Sequence, residues 1–130
     1  MNRSALEKRL RDLGIYSDFY YRKELKPLTQ LLEDGEQLNC ILTGVHEANR
    51  KMLAVTDRRI LIIFAGALAD KAVTVIRRSA VKEFQFEKKI LFSKLSIRTN
   101  NGAEFVFTNT QGSLKELFEW AMRQPLTEPM

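Results

Sequence analysis

The feature that most limits the fold is the stretch from Gln37 to Thr108. Short apolar runs there are broken by turn residues about every 8–12 positions. This spacing suits antiparallel strands joined by hairpins and leaves no room for the crossover helices that parallel strands require. Leu38, Cys40 and Leu42 alternate with Asn39 and Thr43, which predicts a first strand with one buried face. Met52 to Thr56 and Arg59 to Phe64 follow, joined by a tight turn at Asp57-Arg58. Ile60-Leu61-Ile62-Ile63-Phe64 is apolar on both faces, which predicts a central, covered strand. Gly66 to Lys71 reads as a loop. Ala72 to Ile76 and Val81 to Glu87 read as strands separated by Arg77-Arg78-Ser79. Leu91 to Arg98 and Ala103 to Thr108 read as the last hairpin, with Asn101-Gly102 as a type I′ turn.

Helical signals flank this region. Ser4-x-x-Glu7 fits a capping box, and Leu6, Leu10 and Leu13 then form one narrow apolar stripe before Gly14, a left-handed stop. So short a helix is marginal alone and must dock on its own domain or on another chain. Ser17 to Glu33 reads as a second helical stretch, with Pro27 starting a new short helix. Asp34-Gly35-Glu36 closes it as a turn. Ser113-x-x-Glu116 is a second capping box, followed by Leu114, Leu117, Phe118 and Ala121 on one helical face. Pro125 stops that helix, and the tail to Met130 is expected to fray. The expected organisation is an N-terminal helical extension (1–35), a barrel with a C-terminal helix (36–124) and a tail (125–130).

Composition excludes several classes. No apolar run approaches the roughly 20 residues of a membrane-spanning helix, and the charged N-terminus is no secretory signal. One cysteine permits no intramolecular disulfide, and the expected location is the cytoplasm. The net charge of +5 is unevenly spread. Residues 1–36 hold seven bases and seven acids, residues 37–112 twelve and six, and residues 113–130 two and three. A basic middle segment raises the case for anionic partners, although a charge of this size also serves solubility alone.

Particular residues carry a family resemblance. Lys23-Glu24-Leu25-x-x-Leu28 and Leu31-Leu32-x-x-Gly35-Glu36 form a helical lead-in, and Thr43-Gly44 ends the first strand. Leu53-Ala54-Val55-Thr56-Asp57-Arg58-Arg59-Ile60-Leu61-Ile62 forms a central hairpin, and Val81-x-x-Phe84 lies on the fifth strand. With these residues, Glu36 to Trp120 resembles the bacterial pleckstrin-homology (PH)-like family, in particular its short YokE-like branch. The resemblance implies an α+β, mainly β fold. It consists of about seven antiparallel strands in two near-orthogonal sheets, capped by a C-terminal helix. Phosphoinositide-binding PH domains carry a lysine in the first hairpin and Arg-x-Arg on the next strand. Here Lys51 precedes Thr56-Asp57-Arg58-Arg59, which argues against specific inositol-phosphate binding.

The residue inventory offers little chemistry. Cys40 and His46 are six residues apart on one strand, hence about 20 Å, too far for a nucleophile and its base. Cys40 reads as a small core residue and His46 as an exposed strand end. No Cys/His cluster has zinc spacing, and no glycine-rich phosphate loop occurs. The chain is expected to be no enzyme and to need no cofactor or metal. Four basic pairs fall at strand ends or turns: Arg50-Lys51, Arg58-Arg59, Arg77-Arg78 and Lys88-Lys89. They are candidates for an anion- or partner-binding rim, with a solvated or structural role as the plainer alternative. Phe84, Phe86 and Phe92 beside Lys88-Lys89 suggest base stacking, but core packing is the simpler account. Trp120, one step off the helical stripe, rims a groove or faces a partner.

The expected function is a non-catalytic binding or scaffolding module acting through protein–protein contact or self-association. Leu6, Leu10 and Leu13 are the candidate self-association stripe. The alternative is weak binding of anionic lipid or phosphate through the basic rim, peripheral to the inner face of the membrane. Nucleic-acid binding is a further, less favoured one.

Overall fold

The computed structural model describes residues 1–66 and 71–127. Three helices come first: α1 (Arg3–Asp12), α2 (Tyr16–Phe19) and α3 (Leu25–Leu31). Seven strands follow: β1 (Leu38–His46), β2 (Asn49–Thr56), β3 (Arg59–Ala65), β4 (Lys71–Arg77), β5 (Val81–Glu87), β6 (Ser93–Thr99) and β7 (Glu104–Thr110). Helix α4 (Lys115–Arg123) ends the fold.

The strands pair antiparallel in the order β4-β3-β2-β1-β7-β6-β5. The predicted two sheets are thus two halves of one: four strands and three, meeting where β1 crosses β7. Only Val45↔Thr108 is in register there. Side chains reinforce this seam. Gln111 accepts from the Thr43 N–H at 2.9 Å through Oε1 and donates to the Thr43 hydroxyl through Nε2. Gly44 allows the close approach, because a Cβ there would lie 2.8 Å from Thr110 Cγ2 and 3.2 Å from the Thr108 carbonyl. The expectation that Thr43-Gly44 ends the first strand is therefore corrected: the strand runs on to His46, and the glycine marks the crossing.

Helix α4 packs on β1 and β2, while its Phe118 ring meets Phe84 and Phe86 of β5 at 5.4 and 5.8 Å. One helix reaches both halves because the sheet curls around it as an open barrel. Phe118, Ile97, Phe107, Leu53 and Ile60 share one core, and Leu6, Leu10, Ile15, Phe19, Leu25 and Leu28 belong to the same core.

Local signals were shifted in several places. The cap of α1 is Asn2, whose side chain accepts from Ala5 N, so Ser4 lies inside the helix and Glu7 pairs with Arg3. Gly14 does take the left-handed conformation (φ 77°), and Ile15 N closes back on Leu10 O. The predicted second stretch is two helices, with Pro27 in the first turn of α3, where its missing N–H costs nothing. The second capping box is absent: a 3-10 turn at Gly112–Leu114 leads into α4, with no side-chain cap. Asn101-Gly102 is not a type I′ turn. Only Gly102 has positive φ, and Gly102 N bonds to Thr99 O, giving a type I turn closed by a left-handed glycine. The hairpin with two positive-φ residues is instead Glu47-Ala48, between β1 and β2. β6 begins at Ser93, so Leu91 and Phe92 belong to a loop. Lys71 starts β4, and the rest of the predicted Gly66–Lys71 loop, 67–70, lies outside the described residues. The tail is tied down at Thr127, which donates from its N–H to Asp57 O and from its hydroxyl to Asp57 Oδ2.

Candidate functional site

The Thr56-Asp57-Arg58-Arg59 turn between β2 and β3 is a clasp for five segments. Glu36 is buried beneath it. One Glu36 oxygen accepts from Arg59 Nη2 (2.6 Å) and from Glu33 N (3.0 Å). The other accepts from Arg59 Nε (3.0 Å) and from the Thr56 hydroxyl (2.6 Å). Burial pushes the Glu36 carboxyl up, but these bonds outweigh it and hold it below the usual carboxylate range. The same bonds raise Arg59 against the opposing pull of burial. Arg59 Nη2 also donates to the Leu31 carbonyl at the end of α3, and Arg58 donates to the Asp34 carbonyl. Asp57 accepts from Gln37 N at 2.9 Å.

Arg78, in the 3-10 turn Arg78–Ala80 after β4, is buried behind the clasp. It donates to Thr56 O and, at the C-terminal end of α4, to Met122 O (2.6 Å) and to the carbonyl of the capping Gln124 (2.9 Å). Burial lowers its pKa, with Asp57 opposing. A guanidinium over a helix C-terminus is favourable by charge and by hydrogen bonding.

The four basic pairs do not form one rim. Arg58-Arg59 and Arg77-Arg78 share an end of the sheet, since Arg59 and Arg77 are register neighbours. Arg50-Lys51 sits at the other end of β2, about 25 Å away along the strand. Arg50 binds the Thr43 hydroxyl (3.0 Å) and the Asn109 carbonyl (3.4 Å). Lys88-Lys89 lies in the loop after β5, with Lys89 3.6 Å from Glu87. Arg50, Arg58, Arg59 and Arg78 thus already serve acceptors of the chain itself. Leu6 and Leu10 of the candidate self-association stripe are fully buried in the chain's own core, and Leu13 packs against it.

His46 is not the exposed strand end expected. Its side chain is 13% exposed. It lies over Phe107 at 5.0 Å, with Nδ1 3.0 Å from Val106 O and Nε2 2.7 Å from Glu47 Oε1. Cys40 is buried, and burial pushes its thiol up, away from nucleophilic use. Among the described residues no group of three His, Cys, Asp or Glu side chains could hold a metal ion. Among the same residues, no helix is long and apolar enough to cross a membrane.

The concave surface that stands out is a cleft of about 560 Å³ between β5 and the end of α4. Val81, Lys82, Glu83 and Phe84 form one wall, and Met122, Gln124, Pro125 and Leu126 the other. β5 is the last strand of the sheet and, among the described residues, pairs only with β6, so its outer backbone edge borders this cleft without a strand partner there. Phe84 was legible from its family position. Met122, Pro125 and Leu126 were not, because the tail's return to Asp57 leaves no periodic signal.

The match to a family model for the bacterial PH domain spans residues 32–121. The chain belongs to the bacterial PH domain family. A pleckstrin homology domain from Shewanella amazonensis is similar in structure, with a TM-score of 0.51 and 21% identity. That match covers 76% of this chain and 86% of the other. A DUF1696 family protein with a pleckstrin-homology domain from Shewanella loihica has the same TM-score at 16% identity, covering 76% of this chain and 94% of that one. At these identities the likeness carries the fold alone, and it does not reach as fine as the YokE-like branch. No curated protein matches. Membership in the family makes a binding module the general reading of this bacterial PH domain, with function decided by its surfaces.

Proposed function

We propose that this bacterial PH domain is a non-catalytic module that holds a protein partner as an extended segment along β5. The observation that carries this is the cleft in which an unpaired strand edge faces an apolar wall, Met122, Pro125 and Leu126. A strand added to β5 would gain main-chain hydrogen bonds, and alternate side chains would fall against that wall and Phe84. Leu126 is 46% exposed, so apolar area is available there for a partner to cover. A heterotypic segment is favoured over self-association through α1, because Leu6 and Leu10 are covered by their own chain. A basic-rim reading is disfavoured because four of its arginines already hold carbonyls or carboxylates. The setting we assign is the cytoplasm.

The test is selection from a phage-displayed library of random linear peptides on the intact chain. Binders are then mapped by backbone amide shifts. The expected result is enrichment of β-prone apolar peptides that shift residues 81–84 and 122–126. Leu126→Asp should weaken them by about tenfold or more. Binders that map elsewhere, or that tolerate Leu126→Asp, would sink the proposal.

A further inference from the structure

Among the described residues, the loop between β5 and β6 carries three consecutive exposed large apolar side chains. Ile90 is fully exposed, Leu91 is 80% exposed and Phe92 is 62% exposed, three consecutive large side chains in water. Single exposed apolar residues need no explanation, but a contiguous group marks a contact surface.

The base of this loop is built rather than slack. Ser93 is buried, and its hydroxyl accepts from Lys89 N at 3.2 Å. Gly112 packs beneath it so closely that a Cβ would lie 2.5 Å from Ser93 Oγ and 3.2 Å from Lys88 Cγ. The loop is therefore clamped at its stem while its apolar tip projects.

The charge around the tip is positive. Lys88 and Lys89 precede it directly, and both are exposed. Arg50 donates to the Asn109 carbonyl, three residues before Gly112, which packs close to the Lys88 side chain. Glu87 is the acid within the loop stem, 3.6 Å from Lys89. A convex apolar tip with a basic collar fits the boundary of an anionic bilayer. Apolar side chains enter the acyl region there while lysines meet the headgroups. A protein partner would instead need a matching pocket, to which the collar contributes nothing in particular.

We propose that Ile90, Leu91 and Phe92 form a wedge that inserts into an anionic membrane surface, steered by Lys88 and Lys89. The site makes no demand on headgroup stereochemistry, so it differs from an inositol-phosphate pocket. It also stands apart from the peptide cleft. Lys82 lies near the start of β5 and Lys88 just past its end, six residues on and about 20 Å away, so both surfaces can be engaged together.

The experiment is vesicle binding by the full chain, using phosphatidylcholine vesicles with and without phosphatidylserine. Phe92→Trp in a Trp120→Phe background reports insertion by a blue shift and by quenching with brominated lipid. We expect insertion only with phosphatidylserine present. Partitioning should fall by about tenfold or more in the triple variant Ile90→Ser, Leu91→Ser, Phe92→Ser. Lys88→Gln with Lys89→Gln should weaken binding to the phosphatidylserine vesicles and flatten its salt dependence. These substitutions lie on the surface, and unchanged circular dichroism checks that the fold is kept. No binding at low salt, or binding that survives the triple variant, overturns the proposal. So does an oligomer in solution that the triple variant dissociates while vesicles remain unbound, since the tip is then a protein contact.

Discussion

At the residue scale, Glu36 and Arg59 decide how far this fold tolerates acid and substitution. The Glu36 carboxylate is fully buried and accepts four hydrogen bonds, two of them from Arg59. Breaking such a pair from one side leaves an uncompensated buried charge. Arg59→Ala is expected to lose about 3–5 kcal/mol in urea unfolding. The pH dependence follows from the depressed carboxyl. In the folded state it gives up its proton at a lower pH than in the unfolded chain, whose value is about 4.3. Its contribution is therefore complete above the unfolded value and is lost as the pH falls through it toward the folded value. Unfolding measured from roughly pH 6 down to pH 3 should show a steep loss in the native chain and a flatter one in Glu36→Gln. Equal slopes would show that this carboxylate is not held down.

At the element scale, the turns explain both what was legible in the sequence and what was not. Alternation predicted seven strands because one face of each strand must be buried, and the described residues form seven. Turn types were misplaced because tertiary pairing sets loop geometry as well as local preference. Asn101-Gly102 supplied a left-handed glycine to a three-residue loop, while the β1–β2 connection forces Glu47 and Ala48 to φ of 50° and 67°. Neither residue favours that region. Ala48→Gly should therefore raise stability by about 1 kcal/mol, read as a higher urea midpoint at unchanged slope. A lower midpoint would mean that the turn carries no strain. The basic pairs show the same limit. Their positions at strand ends were plain, but the partners of Arg59 and Arg78 are carbonyls at the ends of α3 and α4, which no local pattern reveals. The cleft beside β5 was invisible for a related reason, since one of its walls is tail backbone held by Asp57.

At the scale of the whole molecule, the match to the family model starts at residue 32, yet the core does not. Residues before it supply Leu6, Leu10, Ile15, Phe19, Leu25 and Leu28 to the same cluster that holds the strands. Arg9 ties α1 to β1 through the Leu38 carbonyl (2.7 Å) and the Asn39 side chain (3.0 Å). Truncating a fully buried leucine costs about 2–5 kcal/mol, and a domain of this size has about 5–15 kcal/mol in all. Leu6→Ala with Leu10→Ala should thus remove a large share of the stability. A chain lacking residues 1–14 should fail to unfold cooperatively. The measurement is urea unfolding followed both by Trp120 fluorescence, which reports α4, and by far-ultraviolet circular dichroism. In the intact chain the two curves should coincide. If the N-terminal helices were an accessory, the truncated chain would keep the midpoint of the barrel. A lost or strongly lowered midpoint makes them part of the domain, and leaves the cleft and the loop tip as the surfaces open to partners.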